Sequence, residues 1–436
     1  MKTKFKVLTA VALTVAVSCS TDRDEIITEN DAINAEITLL DQNPDQDLGP
    51  REAVQGEYIV IFKQDDDKSL KYTPKTRGGS PELSRIQDAF RAKALNTLSA
   101  VSKSATNVGY VYTGAIQGFQ AKGLSAADVA AIEADERVAY VEVNYVQKPI
   151  LPTAARKEGY KTIPAELTSL SSKSQNRDVA LSNGEFLPWG VQYIGRRNNA
   201  GTNRYAFILD TGIAPHSDLT IDSGLSSSMF SNQSWEDRQG HGTHVAGTVG
   251  AKNNGSGVIG VAYGTTLVAV KVLDNNGSGS DATTIAGCDY AYNNSISGDV
   301  FNYSVGYRNR YTSTAVDNAF KRLDDKIYGA LAAGNSNDDT RFYSPQRIRT
   351  GRTWMVGNLQ RNLTPAASSC FGSSVDRWAP GTDVWSTWLN GGFNKISGTS
   401  MASPHVAGIL AARGRNSVGT NGSATKGGYT ASRAKL

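Results

Sequence analysis

What most constrains the fold of this chain is a series of short, unbroken apolar runs along its second half. Tyr205-Ala206-Phe207-Ile208-Leu209 is the first and Leu267-Val268-Ala269-Val270-Lys271-Val272-Leu273 the second. Ile327 to Ala333 is a third, and Trp354-Met355-Val356 a fourth. Runs without polar alternation suit strands covered on both faces, as in a parallel sheet. Helical stretches lie between them, for example Thr283 to Tyr292 and Ser313 to Leu323. Such alternation implies an α/β domain over 181–436, with a mainly parallel sheet and helices on both faces. The chain contains 43 glycines, clustered in this half beside Asn, Ser and Thr, which supplies the tight turns such a domain needs.

Residues 57–148 read as a separate, smaller unit. Glu57-Tyr58-Ile59-Val60-Ile61-Phe62 is a β-rich run. Ser80-Pro81 has the N-cap and first-position residues of a helix start, and Leu83, Ile86 and Phe90 keep helical spacing. Strands are expected around Val108–Thr113 and Gly118–Lys122. A helix capped by Ser125 should run from Ala126 to Asp135, and Val138 to Val143 closes as a strand. The order β-α-β-β-α-β is a ferredoxin-like α+β pattern, which by itself implies no activity.

The remaining segments connect or target. Lys2, Lys4 and Lys6 precede a mostly apolar stretch from Val7 to Val17, the layout of a secretory signal peptide over 1–18. Ala16-Val17-Ser18-Cys19 is similar to a bacterial lipobox, which would make Cys19 a lipidation site. These features imply a secreted or cell-surface protein, and with Cys19 acylated a bacterial outer-membrane lipoprotein; simple cleavage near Ser18 would leave it free. No later stretch has about 18 consecutive apolar residues. Residues 19–56 are polar and acidic, and 149–180 lack periodicity; both read as linkers, the second open to cleavage. The three cysteines are too few for a disulfide framework. Cys288 and Cys370 are open to one bridge or to two buried thiols. A net charge of +4 without a basic, aromatic-interleaved stretch gives no support for nucleic-acid binding.

In open α/β sheets, chemistry gathers at the carboxyl ends of the strands. Asp210 follows the first apolar run, where its carboxylate can orient a histidine, although an Asp before Thr-Gly is also an ordinary turn residue. Any general base titrating near neutrality must come from four histidines, at 216, 241, 244 and 405. His241 opens Gly240-His241-Gly242-Thr243-His244-Val245-Ala246-Gly247, whose small residues suit a tightly packed helix. His241 and His244 lack the Glu of a zinc motif. His216, His244 and His405 read as structural or surface residues. Ser400, in Gly398-Thr399-Ser400-Met401-Ala402-Ser403-Pro404-His405, sits where a loop enters a buried helix, with Pro404 read as lying just inside. Its backbone N–H and the helix dipole would favour an oxyanion there, while the commoner role of such a serine is an N-cap. Asn335, ending Leu331-Ala332-Ala333-Gly334-Asn335, can donate to an oxyanion or merely make a turn.

Taken together, Asp210-Thr211-Gly212, His241 to Gly247, Ala333-Gly334-Asn335 and Gly398 to His405 resemble the subtilisin family (subtilases), in the same Asp, His, Ser order. Pro188-Trp189-Gly190 and Ser386-Thr387-Trp388 are most similar to the proteinase K branch, and the resemblance covers roughly residues 185 to 412. The 57–148 unit is similar to the inhibitory prodomain of many subtilases. The resemblance implies a serine endopeptidase with Asp210, His241 and Ser400 as its triad and Asn335 as oxyanion donor. Substrate would lie as an extended strand between Gly277-Ser278-Gly279-Ser280 and Ser304-Val305-Gly306. The first specificity pocket would be walled by 304–306 and Ala332-Ala333-Gly334, and its small residues imply broad specificity. The prodomain would assist folding and block the cleft as an intramolecular inhibitor until self-cleavage, placed between Lys173 and Gly184. The partners implied are protein or peptide substrates.

Three features depart from the family pattern. Arg413 to Leu436 is rich in Gly, Ser and Thr and lacks the expected apolar helix. Arg347, Arg349 and Arg352 stand where proteinase K-like enzymes bind calcium, leaving Asp376 as a candidate ligand. No cofactor is required on this reading, and calcium enters only as a structural ion. The family's disulfides are absent. The alternative is a catalytically inactive subtilase-fold surface binding protein, against which the four intact catalytic positions speak. A lipase-type hydrolase has the wrong residue order, Ser before acid before His.

Overall fold

A computed structural model describes residues 52–64, 70, 72, 74–147, 159–163, 176–307 and 309–436. The proposed signal peptide, Cys19 and most of both linkers lie outside the described residues.

The N-terminal unit forms β1 (Ala53–Phe62), α1 (Pro81–Ser99), β2 (Val108–Tyr112), β3 (Gly118–Ala121), α2 (Ala126–Glu133) and β4 (Val138–Gln147). Its four strands are antiparallel in the order β4-β1-β3-β2. Ser80 and Ser125 cap the two helices, each accepting from a backbone N–H three residues on. Strand alternation splits β1 between two cores. Val60 and Phe62 face α1 and pack on Leu83, Ile86, Phe90 and Phe119. Ile59 and Ile61 join a cluster with Ala282, Ile285 and Tyr292 of the larger unit.

The second half begins with β5 (Val179–Ala180), β6 (Phe186–Leu187), α3 (Trp189–Ile194), β7 (Tyr205–Asp210), β8 (Thr220–Ile221) and β9 (Ser227–Ser228). Then come α4 (His241–Gly250), β10 (Thr266–Lys271), β11 (Gly279–Ser280), α5 (Asp281–Asn294), β12 (Val300–Tyr303), α6 (Thr314–Asp324) and β13 (Tyr328–Ala332). The chain continues through β14 (Thr353–Leu359), β15 (Arg377–Pro380), β16 (Val384–Thr387), β17 (Phe393–Ile396), α7 (Thr399–Arg413), β18 (Gly419–Lys426) and β19 (Tyr429–Lys435). The central sheet runs β18-β19-β15-β14-β13-β12-β7-β10-β8, with β9 also on β10. Pairing is parallel from β15 to β8, as the four apolar runs required. Ala206 and Ile208 point to the face covered by α4 and α7, and Phe207 and Leu209 to the face covered by α5 and α6. The described residues make one compact unit.

The tail, in which the sequence showed no apolar helix, forms strands instead. Arg413 to Leu436 contains the β18–β19 hairpin, whose β19 adds in parallel to β15. Gly427 and Gly428 both take positive φ in its two-residue turn, the requirement that makes Gly-Gly a hairpin signal. Cys288 and Cys370 are free and buried, which settles that choice. Among the described residues no helix is long and apolar enough to cross a membrane.

Candidate active site

Asp210 ends β7, so its side chain leaves the sheet at the carboxyl edge. It is fully buried, and its Oδ1 accepts from Thr211 N–H and from His241 Nδ1, both at 2.7 Å. His241 is the first residue of α4, which must come very close to the loop after β7. Gly242 allows this: a Cβ there would stand 2.2 Å from Gly212 O. Gly242 N–H also donates to Thr211 Oγ1. Asp237, which sequence reasoning missed, holds the first turn of α4 by accepting from Thr243 N–H and Oγ1–H. With Nδ1 on Asp210, His241 Nε2 is buried and has no protein partner. It is therefore the ring atom left to exchange a proton.

Ser400 is the second residue of α7, where helix geometry leaves the backbone N–H without an i−4 carbonyl. The helix starts at Thr399, so Pro404 lies inside it rather than at its first position. A proline in the interior leaves the carbonyl four residues back unclaimed. That carbonyl belongs to Ser400, and Ser304 Oγ donates to it at 2.9 Å. Asn302 supports the same junction, its amide donating to Ser304 Oγ and its Oδ1 accepting from Ser403 Oγ. Asn302 and Ser403 were invisible as site residues in the sequence, because only the register of β12 beside α7 brings them there. Ser400 Oγ donates to Ser304 O at 3.1 Å, not to His241 Nε2. Hydrogen bonds of this kind are often unmade before substrate arrives.

Asn335 Oδ1 accepts from Thr399 N–H and Oγ1–H, which leaves its NH2 group as the donor on the cleft side. One pocket beside Ser400 is lined by Ser304, Val305, Gly306, Tyr307, Ala332, Gly334, Asn335 and Thr399. Ala333 is corrected: it belongs to the core under the sheet, not to the pocket wall. Tyr307 completes the wall, and Gln346 braces it from behind, its amide donating to Val305 O and Ala332 O. Gly277 and Ser278 form a turn on Asp274, whose carboxylate accepts from Ser278 N–H. Gly279 and Ser280 make the edge strand β11.

The other histidines are buried and structural; none is a surface residue. His244 bonds Val384 O and His405 bonds Met401 O, and burial lowers them to about 3 and about 4. His216 bonds Gly392 O, and burial lowers it too. Lys271 lies opposite Asp210 in the sheet register, fully buried, with its Nζ on Thr211 O.

No cluster of three or more His, Cys, Asp or Glu side chains suited to a metal occurs among the described residues. Asp376 does not fit calcium, which wants a shell of oxygens. Its carboxylate accepts from Met355 N–H and has Arg349 at 4.0 Å. A better oxygen set is the buried pair Glu185 and Asp218. Each carboxylate has one oxygen without a partner and one held by backbone N–H groups of the 254–258 loop. Burial first, and then the charge of Glu185, push Asp218 up to about 7. Two enclosed carboxylates, each with an oxygen that has no partner, are a setting that a divalent cation relieves.

A parallel sheet with an Asp–His pair at its carboxyl edge and a serine opening the neighbouring helix defines a serine hydrolase. The subtilase family matches residues 206–416. An extracellular serine proteinase of Thermus sp. (strain Rt41A) is 33% identical over 366 residues, covering 83% of this chain and 80% of its own length. Proteinase T of Parengyodontium album is 40% identical over 242 residues, covering 52% of this chain and 79% of its own. A solved cold-adapted subtilisin-like serine proteinase is 35% identical, covering 52% of this chain and 85% of that one, with a TM-score of 0.46. The chain belongs to the subtilase family and is a serine peptidase.

Proposed function

We propose that this chain is the precursor of a secreted endopeptidase in which Asp210, His241 and Ser400 are the triad. Ser400 Oγ attacks the scissile carbonyl carbon as His241 Nε2 takes its proton. The oxyanion is met by Ser400 N–H and the Asn335 NH2 group. His241 then gives the proton to the departing amine, and water, activated in the same way, releases the acyl group from Ser400. Asp210 holds the Nδ1–H tautomer and stabilises the imidazolium. The single observation that carries this reading is the buried 2.7 Å contact of His241 Nδ1 with Asp210 Oδ1. The small residues of the pocket at Ser400 support broad specificity.

The 57–148 unit acts as an intramolecular inhibitor. In support, β4 pairs antiparallel with β11, Gln147 opposite Gly279 and Val146 opposite Ser280, on the edge where a substrate strand would lie. The match over 83% of the chain is also longer than 181–436 alone. Because β4 enters the cleft at Gln147, the first cut falls within 148–158 rather than between Lys173 and Gly184; N-terminal sequencing of the mature protein distinguishes the two. Export rests on residues 1–18, and Cys19 carries a lipid anchor, which metabolic labelling with a fatty acid tests. A structural calcium ion would be held by Glu185 and Asp218.

The deciding experiment is fluorophosphonate labelling with casein digestion in parallel. Wild-type protein should label, mature and digest casein. Ser400→Ala should do none of these, and a Ser400→Ala protein that still matures alone would sink the assignment.

A further inference from the structure

Beyond the peptidase reading, and resting on it, we propose that the catalytic domain has an amide-selective pocket that recognises glutamine upstream of the scissile bond. It is built by Asp281, Thr284, Tyr303 and Tyr307. The occupant in this structure is Gln147, the last residue of β4, whose backbone lies on the Gly279 edge in a substrate's place.

Gln147 is 1% exposed, an unusual position for a long polar side chain at the end of a strand. Every polar atom of its side chain is engaged. Thr284 Oγ1 donates to its Oε1 at 2.9 Å and Tyr303 OH does so at 3.2 Å. Its Nε2 donates to Asp281 Oδ1 at 3.3 Å and to Tyr307 OH at 3.2 Å. The polarity leaves no freedom in the orientation of the amide. An ionised carboxylate only accepts, so the nitrogen must face Asp281. Tyr307 OH donates to Asp281, which leaves its oxygen to accept from Gln147. Two hydroxyl donors then stand on the carbonyl side.

Asp281 is itself buried and is the first residue of α5, where the helix dipole favours its charge. Tyr311 OH donates to its other oxygen. The pocket is thus held by the catalytic domain's own elements, α5 and β12 with the segment after it. Tyr307 also lines the pocket beside Ser400, so the two recognition sites share a wall.

This chemistry discriminates among side chains of one length. Methionine fills the same volume but leaves the hydroxyls and the carboxylate facing it without a partner, and such pockets reject the analogue lacking the polar group. Glutamate brings a second negative charge to Asp281. Asparagine is one methylene too short to span the two sides.

The test uses the mature protease and synthetic peptides spanning residues 143–154, with Gln147 kept or replaced by Met or Glu. Each peptide is scored by kcat/KM, or by Ki against casein digestion if it is not cut. The glutamine peptide should exceed both others by about tenfold or more. Thr284→Val and Tyr303→Phe should each narrow the Gln-to-Met ratio, and Asp281→Asn the Gln-to-Glu ratio. Three peptides within twofold of one another, with Ser400-dependent casein digestion intact, overturn the pocket and leave the peptidase reading standing. Casein digestion that is absent, or that survives Ser400→Ala, overturns both. The wild-type peptide series stands even if a pocket variant fails to fold.

Discussion

At the scale of single residues, the site is organised by groups that use up one another's alternatives. Asp210 fixes His241 Nδ1, which leaves Nε2 as the ring nitrogen without a partner. Thr399 takes both contacts to Asn335 Oδ1, which leaves the NH2 side to donate. Asn335→Ala should therefore lower kcat by about 10²–10³ with little change in KM, a magnitude that comes from subtilisin, a member of the same family. The buried neutral histidines make a different prediction. His244 and His405 have folded pKa values of about 3 and about 4, below the value near 6.5 of an unfolded chain. Between those limits the unfolded state binds more protons, so stability is present above pH 6.5 and lost as pH falls toward 4. In the Ser400→Ala background, denaturant titrations should show that loss, and His244→Gln should reduce its slope by up to about one proton.

At the scale of elements, two helix N-termini of the larger unit receive side chains from the 57–148 unit. Glu142 of β4 accepts from Ser313 Oγ and Thr314 N–H, covering the start of α6. Asn144 Oδ1 accepts from Ala282 N–H at the start of α5. Further along α5, Asp289 accepts three backbone N–H groups, from Thr113, Gly114 and Ala115. The 57–148 unit thus docks through charge-assisted bonds to two helices, besides the pairing of β4 with β11. Asp289→Ala should weaken that hold about tenfold, read as an earlier onset of casein digestion by the precursor. The β18–β19 hairpin is one of the elements that sequence reading missed. Its strands have Gly, Ser and Thr in place of β-branched apolar residues, because only one edge meets the core. A Cβ at Gly427 would meet the Phe371 ring at 2.2 Å, in a left-handed conformation. Gly427→Val should cost about 1–3 kcal/mol, measurable by thermal denaturation.

At the scale of the whole molecule, the central sheet is extended at one edge by the tail hairpin, while β11, outside that sheet, pairs with β4 of the 57–148 unit. A structural ion would act at neither place. It would join the 254–258 loop and Glu185, just before β6, to Asp218, just before β8. Added calcium should raise the melting temperature of the Ser400→Ala protein, worth about 2.7 kcal/mol at a hundredfold excess over Kd. Glu185→Gln with Asp218→Asn should remove that increment, and Arg349→Ala should leave it unchanged.

What the sequence by itself determined is what local pattern can carry. Unbroken apolar runs specified a buried parallel sheet, Ser80-Pro81 and Ser125 specified helix starts, and the residue strings around 210, 241, 335 and 400 marked the strand and helix ends where chemistry gathers. What only the tertiary structure decided depends on register and approach across long separations. It exchanged Ala333 for Tyr307 in the pocket wall and set the carboxylates of Glu185 and Asp218 on one backbone loop. It also buried Gln147 among Asp281, Thr284, Tyr303 and Tyr307. None of those neighbours is close to its partner in sequence, so no periodicity or motif could announce them. They meet because parallel strands set side by side bring distant loops to one edge of the sheet.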